Sequence, residues 1–544
     1  MHQRPVTLTP PSRNGLLDRL EADRFDVIVI GGGITGAGVA RDASARGLSV
    51  ALLEADDYAS GTSSRSSKLI HGGLRYLAMG EVGLVRRTAL ERKAVHAMAP
   101  HLAEPCWMVV PARGRASLAT FRTGIGTYEK LGAVEDQDRH VTWGADELAD
   151  EEPLLHTDPY RWAIAYREYL TDDARLVLGV IRAAVSTGAV AANLVKVTGL
   201  IRSNNRIDGV VATCGDSGRV VEVRGKVVVN AAGPWVEKLA SLEVDPPRTR
   251  LHLSKGIHVV VPRDRLPVNN LVILGTPDKR SIFTIPHGDV VYVGTTDTSY
   301  HGDRPLWPEI DRDDVSYLLG PLTKYFDIQP IEADEVVAAW AGVRPLVAQE
   351  KKDPKEISRK DEVWIGPGGM VNIAGGKLTG FRHMAEEVVD SFRETLGTRL
   401  GDGPGTEPLP GAGTGRDLSA YAAGVASATG VSTSVAERLV RLYGSESNDV
   451  VAMGSQSVVD GGRVLRGEID WAIDVEGATR LEDVIYRRTR AAWFVPAERD
   501  DLTIAVGGLM ATKLGWDDER RDLEVEAVRR RIADEMAFMT GGDE

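Results

Sequence analysis

Residues 25–57 read FDVIVIGGGITGAGVARDASARGLSVALLEADD, and this stretch constrains the chain more than any other. Val27 to Ile30 is a short apolar run closed by glycines, the pattern of a strand buried on both faces of a parallel sheet. Gly31, Gly33 and Gly36 then follow the G-x-G-x-x-G spacing. The first glycine permits a tight turn, the second lets a pyrophosphate approach the backbone, and the third lets helix pack on strand. A helix is expected over 34–46, with its amides and positive dipole end turned to phosphate. A second strand over 49–53 ends at Glu54, where a partner for a ribose hydroxyl belongs. Strand, glycines, helix, strand and acid in that order predict a βαβ unit that binds an adenine dinucleotide. The acid favours a free 2′-hydroxyl, so FAD or NAD rather than NADP. The glycines do not choose between those two.

Two later stretches favour the flavin. GKVVVNAAGPWVEKLA carries a strand over Val227 to Asn230 and a small-residue turn through Ala232 and Gly233, then a helix start at Pro234. MVNIAGGKLTGFRHMAEEVVDSF repeats the plan: a strand, Gly375 and Gly376, then an amphipathic helix. Its amides would face an anion, and a reduced flavin is anionic at N1 and O2. These segments lie far apart in the chain, so the cofactor domain is expected to be discontinuous.

Composition narrows the partners. A formal charge of −13 over 544 residues argues against nucleic acid, which needs clustered lysine and arginine. Only Cys106 and Cys214 are present, so neither a disulfide framework nor a thiolate metal site is expected, and no His/Asp/Glu spacing marks a metal. The first 25 residues lack the apolar core of a signal peptide, and no run is long enough to span a bilayer.

The expected fold class is α/β (α+β overall). A Rossmann-like FAD-binding domain is interrupted by an antiparallel-sheet substrate domain and followed by a helical cap. Residues 1–20 read as an N-terminal extension. The FAD-binding part covers about 21–85, 175–245 and 340–395 within 21–395, with the substrate part in about 86–174 and 246–339. Strands are expected at 256–261, 281–286 and 290–294. The Gly- and Pro-rich residues 396–416 read as a linker or extended connection, and 417–544 as helical, with their Arg and Glu on solvated faces. The stretch 117–132, with Leu118, Phe121, Ile125 and Tyr128 beside Arg122 and Lys130, is either a membrane-facing surface or a helix packed on the substrate domain.

Taken together, GGGITGAG, GTSSRSSKLIHGGLRYL, SKGIHVVVP, GTTDTSY, GVRPL and GGKLTGFRHMAE resemble the FAD-dependent glycerol-3-phosphate dehydrogenases, flavoproteins that deliver electrons to membrane quinone. EGATRLEDVIYRRTRAAW is similar to the helical cap domain of the same family. The resemblance implies non-covalent FAD and oxidation of sn-glycerol 3-phosphate to dihydroxyacetone phosphate by hydride transfer from C2 to flavin N5. It assigns Arg75, Tyr76, Thr295, Arg344 and Lys377 to the substrate, with Arg344 and Lys377 at the active centre and His258 near the reacting alcohol. It assigns Ser63, Ser64, Lys68, His71, Gly376, Leu378 and Thr379 to the flavin, beside Gly31, Gly33, Gly36, Glu54, Ala232 and Gly233. The family's asparagine in the first glycine loop is Thr35 here. A cytoplasmic homodimer, bound peripherally at the inner face of the cell membrane, is the expected setting. An oxygen-reducing glycerol-3-phosphate oxidase is the alternative, and a non-catalytic flavin-binding protein a remote one.

Overall fold

A computed structural model describes residues 5–73, 77, 80–244, 251–278, 280–347, 361–397 and 399–540. Its first sheet has eight strands. Across the main path they run Glu362–Ile365, Val371–Ala374, Val220–Asn230, Arg24–Ile30, Val50–Leu53 and Val190–Ala192. Arg24–Ile30 pairs in parallel with both neighbours, Val27 standing beside Val227 on one side and Val50 on the other. A strand in that central place is covered on both faces, which is why its sequence is continuously apolar. Val27 and Val29 pack under the helices Ile34–Ala45, Asp173–Ser186 and Phe381–Ser391, while Ile28 and Ile30 face Leu17, Leu20, Val210 and Val228. Val195–Ser203 and Arg206–Cys214 extend the sheet as an antiparallel hairpin against Val220–Asn230.

The second sheet has ten strands and is antiparallel except where Leu271–Gly275 runs parallel to Glu104–Ala112. At its centre Leu251–Pro262 pairs with Ala338–Val347 on one side and Val290–Gly294 on the other. The strands expected at 256–261, 281–286 and 290–294 are observed as Leu251–Pro262, Ser281–His287 and Val290–Gly294. Ala338–Val347 crosses the boundary expected at 340, and Leu69–Ile70, from the nucleotide end of the chain, also pairs here. The loop after the first βαβ unit therefore passes from one sheet to the other, and the space between the sheets is where the site forms.

The helix Arg115–Leu131 packs on the second sheet: Ile125 and Tyr128 are fully buried, and Leu118 and Phe121 lie against the same core. Its apolar side is used internally, and its exposed positions are small, polar or basic, among them Ala119, Arg122, Thr123 and Lys130. Residues 399–417 carry no helix or strand but are not a free linker. Leu400 and Leu409 are buried, and Leu409 N–H donates to the Met98 carbonyl at 2.9 Å.

The C-terminal part is helical, and one expectation about it is corrected. Arg487, Arg488 and Arg490 are not on a solvated face; they are 2%, 0% and 2% exposed. A π-helical turn over Asp483–Arg488 aims them at the nucleotide domain. Arg487 Nε reaches Asp57 at 2.5 Å, Arg488 Nη2 meets the same carboxylate at 2.9 Å, and Arg490 meets Asp173 at 2.8 Å. Buried charges need such partners, and here they come from both parts of the chain, since Arg487 also meets Asp483 at 2.7 Å.

Candidate active site

A cavity of about 1370 Å³ runs between the two sheets from the glycine turn to the centre of the second sheet. At one end Gly31 takes φ +110°, and a Cβ there would come within 2.6 Å of the Ala231 carbonyl oxygen. A Cβ on Gly36 would overlap the Gly31 carbonyl oxygen, so the helix can rise from the strand only with glycine at 36. Gly33 caps that helix in extended backbone, and Ile34 N–H donates to Ser63 Oγ at 2.9 Å. Glu54, just past the second strand, accepts from Gly32 N–H at 2.6 Å and Asp56 N–H at 2.8 Å. Burial in the cavity wall, outweighing these two donors, pushes its carboxyl up to about 7.

Ala232, Gly233, Gly376, Leu378, Thr379, Ser63 and His71 also line this cavity, with Gly31, Gly33 and Glu54. Thr379 Oγ1 accepts from His71 N–H at 3.2 Å, tying the early flavin-loop segment to the turn before the helix Phe381–Ser391. The glycines that no side chain can replace, the acid at the strand end and the length of the cavity all fit a dinucleotide.

Two expected cofactor residues are elsewhere. Lys68 is 2% exposed and turned away from the cavity, where its Nζ donates to the Ser64 carbonyl at 3.0 Å and pairs with Asp173 at 3.2 Å. It sits over Trp340 and Trp493, and burial with the nearby Arg490 lowers it to about 8. Ser64 is buried beneath the same loop, and its carbonyl accepts from Lys68 and Arg490. Both serve the contact with the C-terminal helices because the loop turns inward at Lys68, whose φ is +54°.

At the other end of the cavity stand cations. Arg344 crosses strand Leu251–Pro262 at Gly256, where a Cβ would overlap its Nη2. Its guanidinium donates to Thr295 Oγ1 at 2.9 Å and to the Thr296 carbonyl at 3.3 Å, and lies 3.5 Å from Asp297, which also accepts from Ser254 Oγ. Thr295 and Arg344 are in contact, and Lys377 lines the same cavity. Arg75 and Tyr76 lie outside the described residues.

Sequence reasoning missed Arg280, Asp297 and Ser67, which line the same end. Arg280 is held by Asp278 at 3.0 Å and the Asp297 carbonyl at 2.8 Å. Only its position on the edge of a strand facing GTTD would have flagged it. His258 is near this end but does not line the cavity: it is 1% exposed and stacked on Trp340 at 4.7 Å. Burial, with Lys68 and Arg344 nearby, holds its imidazole well below the usual histidine range, so the ring is neutral. Among the described residues no group of three or more His, Cys, Asp or Glu is arranged to hold a metal.

Residues 26–382 match the family of FAD dependent oxidoreductases, and 405–521 match the C-terminal domain of alpha-glycerophosphate oxidase. An aerobic glycerol-3-phosphate dehydrogenase of Staphylococcus epidermidis is 35% identical over 558 residues, covering 99% of each chain. The chain belongs to the FAD-dependent glycerol-3-phosphate dehydrogenase family. A Staphylococcus aureus enzyme of the same name is 35% identical over 97% of this chain and 98% of its own. The glycerol-3-phosphate dehydrogenase of Bacillus halodurans, solved with FAD, superposes with a TM-score of 0.81 at 30% identity, over 98% of this chain and 100% of that one. L-alpha-glycerophosphate oxidase of Mycoplasma pneumoniae shares the fold, with a TM-score of 0.55 at 17% identity over 71% of this chain and 98% of its own. FAD is the cofactor of this chain.

Proposed function

We propose that the chain oxidises sn-glycerol 3-phosphate at C2 to dihydroxyacetone phosphate and passes the electrons to a membrane quinone. One observation carries the substrate reading: two guanidiniums, Arg280 and Arg344, open with Lys377 onto the cavity that begins at the glycine cradle. A phosphate monoester is a small dianion, and planar forks beside a lysine suit it. The names of the Staphylococcus relatives agree with this.

When bound, the isoalloxazine supplies the two-electron acceptor for the C2–H bond. The chain supplies position and electrostatics. Arg344, braced by Thr295 and Asp297, fixes the anion. Lys377 stands beside both anion and flavin. Arg75 and Tyr76 join it on the family pattern. Met108, Val110, Ile273, Phe283 and Tyr166 line the intervening wall and keep water from the reacting carbon. Glu54 holds the ribose.

Among the described residues no helix is long and apolar enough to cross a membrane. The quinone reading therefore has the protein dock peripherally, as a homodimer, at the inner face of the cell membrane. Oxygen is the competing acceptor, favoured by the match of the C-terminal part to an oxidase domain. The test is to reduce the yellow protein anaerobically with glycerol 3-phosphate, then mix it with a menaquinone analogue or with oxygen. Reoxidation faster by quinone, and co-sedimentation with liposomes, are expected. Rapid peroxide formation without response to quinone would establish the oxidase, and no bleaching by glycerol 3-phosphate would reject the substrate.

A further inference from the structure

We propose that Ser67 is the group that meets the C2 hydroxyl of the substrate and passes its proton to His258 behind it, an inference that rests on the glycerol 3-phosphate reading. His258 is the histidine that family resemblance sets near the reacting alcohol, yet its ring is walled off from the cavity. Trp340 stacks on one face at 4.7 Å and 13°, and the ring packs so closely on Gly294 that a Cβ there would overlap its Cδ2. Only 1% of the residue is exposed. A buried imidazole in that position has no direct contact with a substrate hydroxyl.

Among the described residues it has one directed contact, Nε2 to Ser67 Oγ at 2.9 Å, and Ser67 lines the cavity. Nδ1 is buried with no hydrogen-bond partner among the described residues, so no bond from behind fixes the ring for a structural purpose.

Ser67 itself is held from both sides. Tyr292 Oη donates to the Ser67 carbonyl at 3.2 Å and Trp340 Nε1 to the Ser66 carbonyl at 3.3 Å, which fixes the segment over the second sheet. The cross-strand neighbour of His258 is Gly294, and the next residue, Thr295, carries Arg344. The serine thus stands in the part of the cavity where the anion site lies.

The step balances without a charged serine. The substrate hydroxyl proton goes to Ser67 Oγ as the proton of Ser67 goes to His258 Nε2, together with hydride loss, because an imidazole held so low by burial, Lys68 and Arg344 takes the proton only as the carbonyl forms. The C2–H hydrogen leaves with its electron pair to the oxidised cofactor, and the C2–O bond becomes a carbonyl. This order requires Nε2 to be the acceptor nitrogen at rest, with the ring proton on Nδ1. Ser67 is then catalytic, and His258 acts through it.

The test uses FAD-loaded protein with Ser67→Ala, Ser67→Thr, His258→Asn and the double variant Ser67→Ala/His258→Asn. Retained FAD and an unchanged visible spectrum establish that each variant folds. In anaerobic stopped flow, Ser67→Ala and His258→Asn should each slow flavin bleaching about a hundredfold or more. The half-saturating substrate concentration should move less than about threefold, since the loss is in the chemical step. The double variant should be no slower than the slower single, and Ser67→Thr should recover most of the rate. Independently of turnover, the ¹⁵N resonances of His258, assigned by their loss in His258→Asn, should show an unprotonated Nε2 that shifts in Ser67→Ala. Bleaching of Ser67→Ala at the wild-type rate, multiplicative losses in the double variant, or a proton on Nε2 would overturn the relay. Wild-type protein that is not bleached by glycerol 3-phosphate would instead reject the substrate reading, while the resonance measurement would still decide the Ser67–His258 pair.

Discussion

Gly256 shows how much a single missing methyl group decides. Arg344 reaches the cavity only by lying across that glycine, and a Cβ would overlap its Nη2 and come within 2.6 Å of Thr295 Oγ1. Gly256→Ala should therefore act like a weakened Arg344→Ala: kcat/KM for glycerol 3-phosphate falls while FAD content is unchanged. Arg344→Ala itself should cost about 2–4 kcal/mol of transition-state binding, the range for truncating one member of a buried charged contact, measured as the ratio of kcat/KM values. Glu54 gives a pH prediction. Its carboxyl is pushed up to about 7 by burial, so without FAD it is protonated below that pH and ionised above it. On the proposed reading ribose hydroxyls donate to the ionised form, so binding FAD should release a proton. Affinity should rise as pH climbs toward 7 and level off above it. Titrating FAD into stripped protein at pH 5.5 and pH 8 checks the slope, and Glu54→Gln should flatten it.

At the scale of elements, the π-helical turn Asp483–Arg488 and the loop after Glu54 form one unit, although they come from opposite ends of the chain. Asp57 receives Arg487 and Arg488, and its carboxyl is held at about 2 by those two guanidiniums despite complete burial. Asp57→Ala would remove the carboxylate that Arg487 and Arg488 share, leaving Arg487 on Asp483 and Glu482 and Arg488 on the Glu476 carbonyl. A loss of roughly 3–5 kcal/mol is expected, the range for breaking a buried pair by removing one partner. Thermal unfolding of the loaded protein should show it. Because Asp57 is three residues beyond Glu54, FAD should also wash out more readily on gel filtration. This contact was not legible in the sequence. In RLEDVIYRRTRAAW the apolar residues recur at helical spacing, which puts the arginines on the opposite face, and a buried arginine is spelled like a solvated one. The same blindness affected Lys68, whose partner Asp173 lies 105 residues away. The glycine turn was legible because strand, turn, helix and acid all fall within 33 residues, where local spacing carries the information. The proposed anion site was partly legible: Thr295, Arg344 and Lys377 came from motif resemblance, whereas Arg280 and Ser67 gain meaning only when the second sheet brings them to one cavity.

At the scale of the whole molecule, neither sheet closes the site alone, and the C-terminal helices brace the loops behind it. A chain ending at residue 396 would expose Lys68, Asp57 and Asp173 without Arg487, Arg488 and Arg490. Such a chain should accumulate as aggregate without bound flavin, which absorbance at flavin wavelengths across a size-exclusion run would reveal. The strand order also sets a calendar for synthesis. The central strand Arg24–Ile30 leaves the ribosome first, but one of its two neighbours, Val220–Asn230, follows about two hundred residues later, and the strand beside that, Val371–Ala374, later still. Asp57 waits 430 residues for Arg487. Translation at about 5–20 residues per second turns that gap into tens of seconds to more than a minute. During that interval the nascent glycine turn has no completed sheet to rest on, so the cell must load FAD near or after the end of translation, and a shortage of the vitamin would be met by finished, empty chains.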